Sequence, residues 1–122
     1  MQDPKQAVLL FNECINTRNL DGLARLMTED HVFVDRDGNV HQPKSYMVQA
    51  WEKFFEMFPG YRNTFTHIEF NNGLVVVLGH AYWSKEKAYD PVIWTASVTE
   101  GQIRKWQVHE DTPENRLKFH LV

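Results

Sequence analysis

Apolar positions recur with helical spacing at the start of the chain. Ala7, Val8, Phe11, Cys14 and Ile15 fall on one face of a helix. Asp3-Pro4-Lys5-Gln6 supplies the start: Asp3 caps, Pro4 suits the first turn, and Gln6 completes a capping box. Leu20, Leu23, Leu26 and Met27 predict a second short helix, weakened by Gly22 and ended by the polar run Thr28 to Asp30. The period then changes. His31-Val32-Phe33-Val34-Asp35 predicts a strand, Asp37-Gly38 a turn, and Asn39 to His41 a short return strand. Pro43 opens a third helix with a wide stripe of Tyr46, Met47, Ala50, Trp51, Phe54, Phe55 and Phe58, closed by Pro59-Gly60.

The remainder reads as strands over Phe65 to Phe70, Leu74 to Ser84, Pro91 to Thr99 and Gln102 to Glu110. The connectors Asn71-Asn72-Gly73, Lys85 to Asp90 and Glu100-Gly101 are short and turn-like, so these strands form an antiparallel meander. Thr112-Pro113-Glu114-Asn115 carries the chemistry of one more helical turn. No repeat or linker interrupts the pattern, and residues 1–122 read as one domain. The class is α+β: three helices of the N-terminal half packed on a curled antiparallel sheet. Leu74 to Leu78 is apolar on both faces, so one face meets the helices and the other a second copy of the chain. The expected partner is therefore a homodimer mate, bound through the sheet.

Composition narrows the function. A chain of 122 residues buries roughly two thirds of its unfolded surface and needs no disulfide or metal to fold. The net charge is -3 with no basic stripe, which argues against nucleic acid. Met1 to Asn16 is interrupted by Asp3, Lys5 and Glu13 and has no cleavage site, so it does not read as a signal peptide. No run approaches the roughly 18 apolar residues of a membrane span, and a cytoplasmic location is expected. The lone Cys14 sits in a helix stripe and reads as a buried thiol. The histidines 31, 41, 67, 80, 109 and 120 lack zinc-ligand spacing, so neither metal nor cofactor is expected.

The order of elements resembles the NTF2-like superfamily, and within it the SnoaL-like branch, which is itself similar to ketosteroid isomerases. The resemblance spans Lys5 to Asp111. Two segments carry it, Asn19-Leu20-Asp21-Gly22-Leu23-Ala24-Arg25-Leu26-Met27-Thr28-Glu29-Asp30 and Glu100-Gly101-Gln102-Ile103-Arg104-Lys105-Trp106-Gln107-Val108-His109-Glu110-Asp111. It implies a cystatin-like cone enclosing an apolar pocket for a small molecule. Counted without a gap from Leu20-Asp21-Gly22, Asp35 falls where the isomerases carry their general base. Desolvation among aromatic rings is expected to raise its pKa. Asp35-Arg36-Asp37-Gly38 is equally good turn chemistry, in which Asp caps the bend. The isomerases' enolate donors are missing: Phe11 stands where they place a Tyr, and Val92 to Val98 contains no acid.

The candidate catalytic residues are Asp35 and, on the last strand, His109 and Asp111. A pair of His31 with Asp35 is also open, since they share a strand face. The candidate ligand-binding residues are Phe11, Phe33, Trp51, Phe55, Trp83, Trp94 and Trp106, the Trp94 face being taken as inner. The resemblance leaves two functions standing. One is cofactor-free proton-transfer catalysis of isomerase, cyclase, dehydratase or hydrolase type. The other is a non-catalytic dimeric ligand-binding or accessory module. The two-faced apolar sheet predicts a dimer-sized particle at micromolar concentration in sedimentation or light scattering; a monomer alone removes the dimer.

Overall fold

Asp3 caps the first helix: its Oδ1 accepts the Lys5 N–H at 3.0 Å, and Pro4 occupies a position where no N–H is needed. In the computed structural model, which describes residues 3–83 and 90–121, helix α1 runs Pro4–Thr17 and buries Ala7, Val8, Phe11 and Ile15. Helix α2 (Leu20–Leu26) follows at once, and the Asn19 side chain accepts the Gly22 N–H at 2.9 Å. Glycine is needed where α2 passes α1, because a Cβ at Gly22 would lie 2.5 Å from Cys14 Sγ. Cys14 is half-buried rather than fully buried, and that burial pushes its thiol pKa up.

Strand β1 (Met27–Val34) begins without a turn. Thr28 to Asp30, expected to be a stop, forms its irregular first half, where the register shifts between Met27 and Val32 and the side chains of Glu29 and Asp30 face water. The strand closes at Val34, so Asp35 is the first residue of the turn. β2 (Val40–His41) returns antiparallel, with Phe33 opposite His41. Helix α3 (Lys44–Met57) buries Met47, Trp51 and Phe55. Strands β3 (Arg62–Asn71), β4 (Leu74–Tyr82), β5 (Asp90–Thr99) and β6 (Gln102–Glu110) form the antiparallel meander that the turn signals predict. The expected end of β4 at Ser84 and the connector from Lys85 lie outside the described residues, apart from Asp90, which opens β5.

The strand order is β2-β1-β6-β5-β4-β3. The sheet is mixed rather than wholly antiparallel: β1 lies parallel to β6, with Phe33 opposite Trp106. Parallel neighbours cannot share a tight turn, and here all the intervening chain makes the connection. A bulge between Phe65 and His67 bends β3 across from Gly79, where any Cβ would collide with the Thr64 carbonyl. On the inner face Val75, Val77, Val92, Trp94, Ala96 and Trp106 join the buried residues of α1 and α3 in one core. Phe11 lies 5.0 Å from Trp106, ring centre to ring centre, and Trp94 stacks on Trp106 at 6.4 Å.

The outer face is partly covered by the chain itself. Thr112 caps helix α4 (Pro113–Lys118), and Arg116 grips Asp111 through two hydrogen bonds of 2.6 and 2.8 Å. Beyond it, the Phe119 ring meets His109 at 4.7 Å. Val76, Ile93 and Thr95 on this face are buried. The expectation that a second copy alone covers this face is thus revised: the C-terminal segment takes part of it.

His109 Nε2 and Thr95 Oγ1 are 2.9 Å apart. Burial, then Lys118 and Lys105, lower the His109 pKa from its ordinary 6.5 to about 4. Between those values the unfolded chain binds a proton that the folded chain does not. Stability is therefore full above about pH 6.5 and falls as pH drops toward 4. Buried His31, whose pKa is also lowered by burial, acts in the same direction. Urea midpoints measured across this range should decline with acidity, and His109→Gln, which keeps an amide for Thr95, should flatten the decline. An unchanged slope would mean that His109 burial is not its source.

Candidate functional site

Two cavities flank the β1–β2 hairpin. The larger, 270 Å³, lies between the inner face of the sheet and α3, walled by Phe33, Phe54, Tyr61, Trp83 and Trp94, with Asp35, Arg36 and Asp37 at its rim. The smaller, 170 Å³, lies between α3 and the hairpin and is lined by His41, Tyr46, Met47, Ala50 and Trp51. Phe33 and Phe54 line both. Alternation along β1 explains the rim: Phe33 points inward opposite inward Trp106, and the position two residues on follows it.

Asp35 combines the two roles its sequence context suggested. Oδ1 accepts the N–H groups of Asp37 at 3.0 Å and Asn39 at 2.9 Å, which closes the turn. Oδ2 lies 3.0 Å from His41 Nε2. The carboxyl is 29% exposed. Its pKa is lowered, not raised as desolvation alone implies: the His41 hydrogen bond contributes most, burial opposes it, and the Asn39 and Asp37 bonds add to the lowering. With Nε2–H donated to Asp35, His41 Nδ1 is the accepting nitrogen. The His41 ring lies 5.7 Å from Phe33 and stacks on Tyr46 at 6.2 Å, 6° from parallel.

The other candidates divide between cavity and core. Phe33, Trp83 and Trp94 line the larger cavity and Trp51 the smaller. Phe11, Phe55 and Trp106 are packed in the core rather than on either wall. His31 does not pair with Asp35: its Nδ1 donates to the Ile103 carbonyl at 2.7 Å, beside Phe11. His109 and Asp111 do not enter the cone. His109 belongs to the outer face under Phe119, as its parity opposite to Trp106 requires, and Asp111 is held by Arg116.

Sequence reasoning passed over His41 and Tyr61. His41 sits in a two-residue strand with no periodic signal, and its register opposite Phe33 is the clue that was available. Tyr61 follows the Pro59-Gly60 stop and reads as loop. Burial pushes its hydroxyl pKa up to about 12, against an Asn63 hydrogen bond and Arg36, so it stays protonated. Asn63 is fixed from α1: Asn16 Oδ1 accepts its N–H at 2.8 Å, and Asn16 Nδ2 donates to its carbonyl at 2.9 Å.

Among the described residues no group of three or more His, Cys, Asp or Glu is placed to hold a metal ion, and no helix is long and apolar enough to cross a membrane. The SnoaL-like domain family matches residues 8–106. Similar solved structures include a cystatin-fold protein from Novosphingobium aromaticivorans, 12% identical with a TM-score of 0.79, over 88% of this chain and 98% of that one. A proposed polyketide cyclase from Sinorhizobium meliloti is 13% identical at TM-score 0.74, over 84% and 93%. An LEH-like epoxide hydrolase from M. tuberculosis is 13% identical at TM-score 0.75, over 90% and 83%. No curated protein matches the chain.

The geometry makes Asp35 a structural part of the hairpin. Asp35→Ala should cost about 1–2 kcal/mol in urea unfolding, the scale of a lost cap. Asp35→Asn, which keeps an oxygen for the two N–H groups, should cost clearly less. Equal losses would place the effect in the charge rather than in the turn.

Proposed function

This chain belongs to the SnoaL-like domain family, and we propose that it is a cofactor-free proton-transfer enzyme acting on a small, flat, largely apolar molecule in the cavity that His41 lines with Phe33, Tyr46 and Trp51. One observation carries the reading: the hydrogen bond from His41 to Asp35 at the hairpin between the two cavities. From sequence, Asp35 was the candidate base. Its three accepted hydrogen bonds and lowered pKa favour a different division of labour. Asp35 holds and orients the imidazole, and His41 Nδ1 takes the proton. Isomerase, cyclase, dehydratase and hydrolase chemistry all contain such a step. The S. meliloti and M. tuberculosis structures of the same fold are described with two of these chemistries.

The enzyme is proposed to work as a homodimer through the part of the outer sheet face that the C-terminal segment leaves free, in a reducing cytoplasm that suits its unpaired Cys14. The second reading, a non-catalytic binding module, is favoured by Phe11, which has no hydroxyl and lies in the core, and by the lack of an acid among Val92 to Val98 of β5. Deuterium uptake separates the two. A panel of bicyclic ketones such as 2-tetralone is incubated with the protein in D₂O and followed by NMR. Exchange above buffer, lowered at least about 100-fold in His41→Gln and less in Asp35→Asn, is expected of a general base. Ketones that bind with no added exchange would establish the binding module instead.

A further inference from the structure

A further cavity, of 250 Å³, lies on the other side of the sheet, between the outer face of β5 and β6 and the C-terminal segment. Thr95, Ser97 and His109 give it polar walls, and Leu74 and the Phe119 ring give it apolar ones. Lys105 and Lys118 line it as well, the first from β6 opposite Ser97 and the second from the end of α4. No Asp or Glu lines it among the described residues. In a chain of net charge -3 this is a local concentration of the minority sign. Neither ammonium forms an ion pair among the described residues. Lys118 Nζ lies 5.3 Å from the Phe119 ring centre instead, and Asp111, two residues past His109, is held by Arg116.

Both ammonium charges reach His109. After burial, Lys118 and then Lys105 lower its pKa to about 4, and no acid offsets them, so the ring is neutral at pH 7. A neutral imidazole and a hydroxyl carry two donor protons between them. The 2.9 Å bond between His109 and Thr95 uses one, so one N–H or O–H is left over whichever way that bond runs.

We propose that this cavity is a second binding site, for a small organic carboxylate. Its carboxylate group lies between Lys105 and Lys118 and accepts the spare hydrogen bond of the Thr95–His109 pair, while its apolar body lies against Leu74 and Phe119. The site is separate from the cavities at the hairpin and does not depend on the function proposed for them. A carboxylate supplies the negative charge that the two lysines lack. A neutral amide of the same shape keeps the apolar contact but loses the charge-assisted bonds. An ammonium is repelled by both lysines. An inorganic anion satisfies the lysines and leaves the apolar walls unused.

Benzoate and benzamide, which share shape and differ in charge, test the assignment at pH 7 and low ionic strength. Calorimetry gives the affinities, and NMR shifts of the His109 and Phe119 rings give the place. Benzoate should bind about tenfold more tightly than benzamide. Inorganic phosphate, which has the charge and no apolar body, should also bind about tenfold more weakly than benzoate. Exposed Lys105→Gln and Lys118→Gln should each weaken benzoate at least about threefold and leave benzamide unchanged. Benzamide or phosphate binding as tightly as benzoate overturns the proposal. So does benzoate that fails to bind at about 10 mM, or that shifts His41 and Trp94 in the hairpin cavities and leaves His109 unmoved.

Discussion

Strands β1 and β6 run side by side in the same direction, with Phe33 opposite Trp106 and Val34 opposite Gln107. This parallel pair fixes where the chemistry of the molecule falls. Trp106 is buried against Phe11 and Trp94, so its neighbour Phe33 must also face inward. The position two residues on then arrives at the rim of the same cavity, where the strand ends and the hairpin begins. A slip of one residue would turn Phe33 outward, bring Val34 into the cone and move Asp35 to the far side. The core thus sets the register, and the register sets the position of the only carboxylate that touches both the turn and His41 among the described residues.

That placement explains why a carboxylate at the rim of an aromatic cavity does not behave as desolvation predicts. Burial raises a carboxyl pKa only when the lost water is not replaced. Around Asp35 it is replaced by two backbone N–H groups and an imidazole. The backbone groups are fixed by the turn itself, because the Asp35 N–H donates to Asn39 O and the Gly38 N–H to Asp35 O, each at 3.0 Å. A group stabilised in this way is a poor proton acceptor and a good orienting anion. The turn reading and the cavity reading of Asp35 were never alternatives; the turn is what tunes the carboxylate.

Most of the fold was legible because its signals are local. The caps at Asp3 and Thr112, the stripes of α1 and α3, and the Asn72-Gly73 and Glu100-Gly101 turns are each decided within a few residues. The parallel pairing was not legible, since nothing local to β1 names β6 as its neighbour. The limits of β1 misled for a related reason: Thr28 to Asp30 are polar, and only the bulge opposite β6 lets them enter a strand while facing water. Half of the site was legible. Asp35, Phe33, Trp83 and Trp94 could be placed by alternation, but His41 and Tyr61 lie in segments too short to have a period. Aromatic residues were over-assigned to the pocket, because a sequence cannot separate a ring that lines a cavity from one that fills the core, as Phe11 and Trp106 do.

The outer face carries a second lesson about apolar strands. Leu74 to Leu78 looked two-sided because both of its faces are covered. The covering on the outer side is partly intramolecular, and it brings polar groups with it: Thr95 and His109 lie hydrogen-bonded beneath Phe119, with Lys105 and Lys118 nearby. A histidine in this setting stays neutral, so the segment that hides part of the outer sheet face from solvent also makes its own attachment sensitive to acid. Any dimer formed on this face has to accept the C-terminal segment as part of its surface.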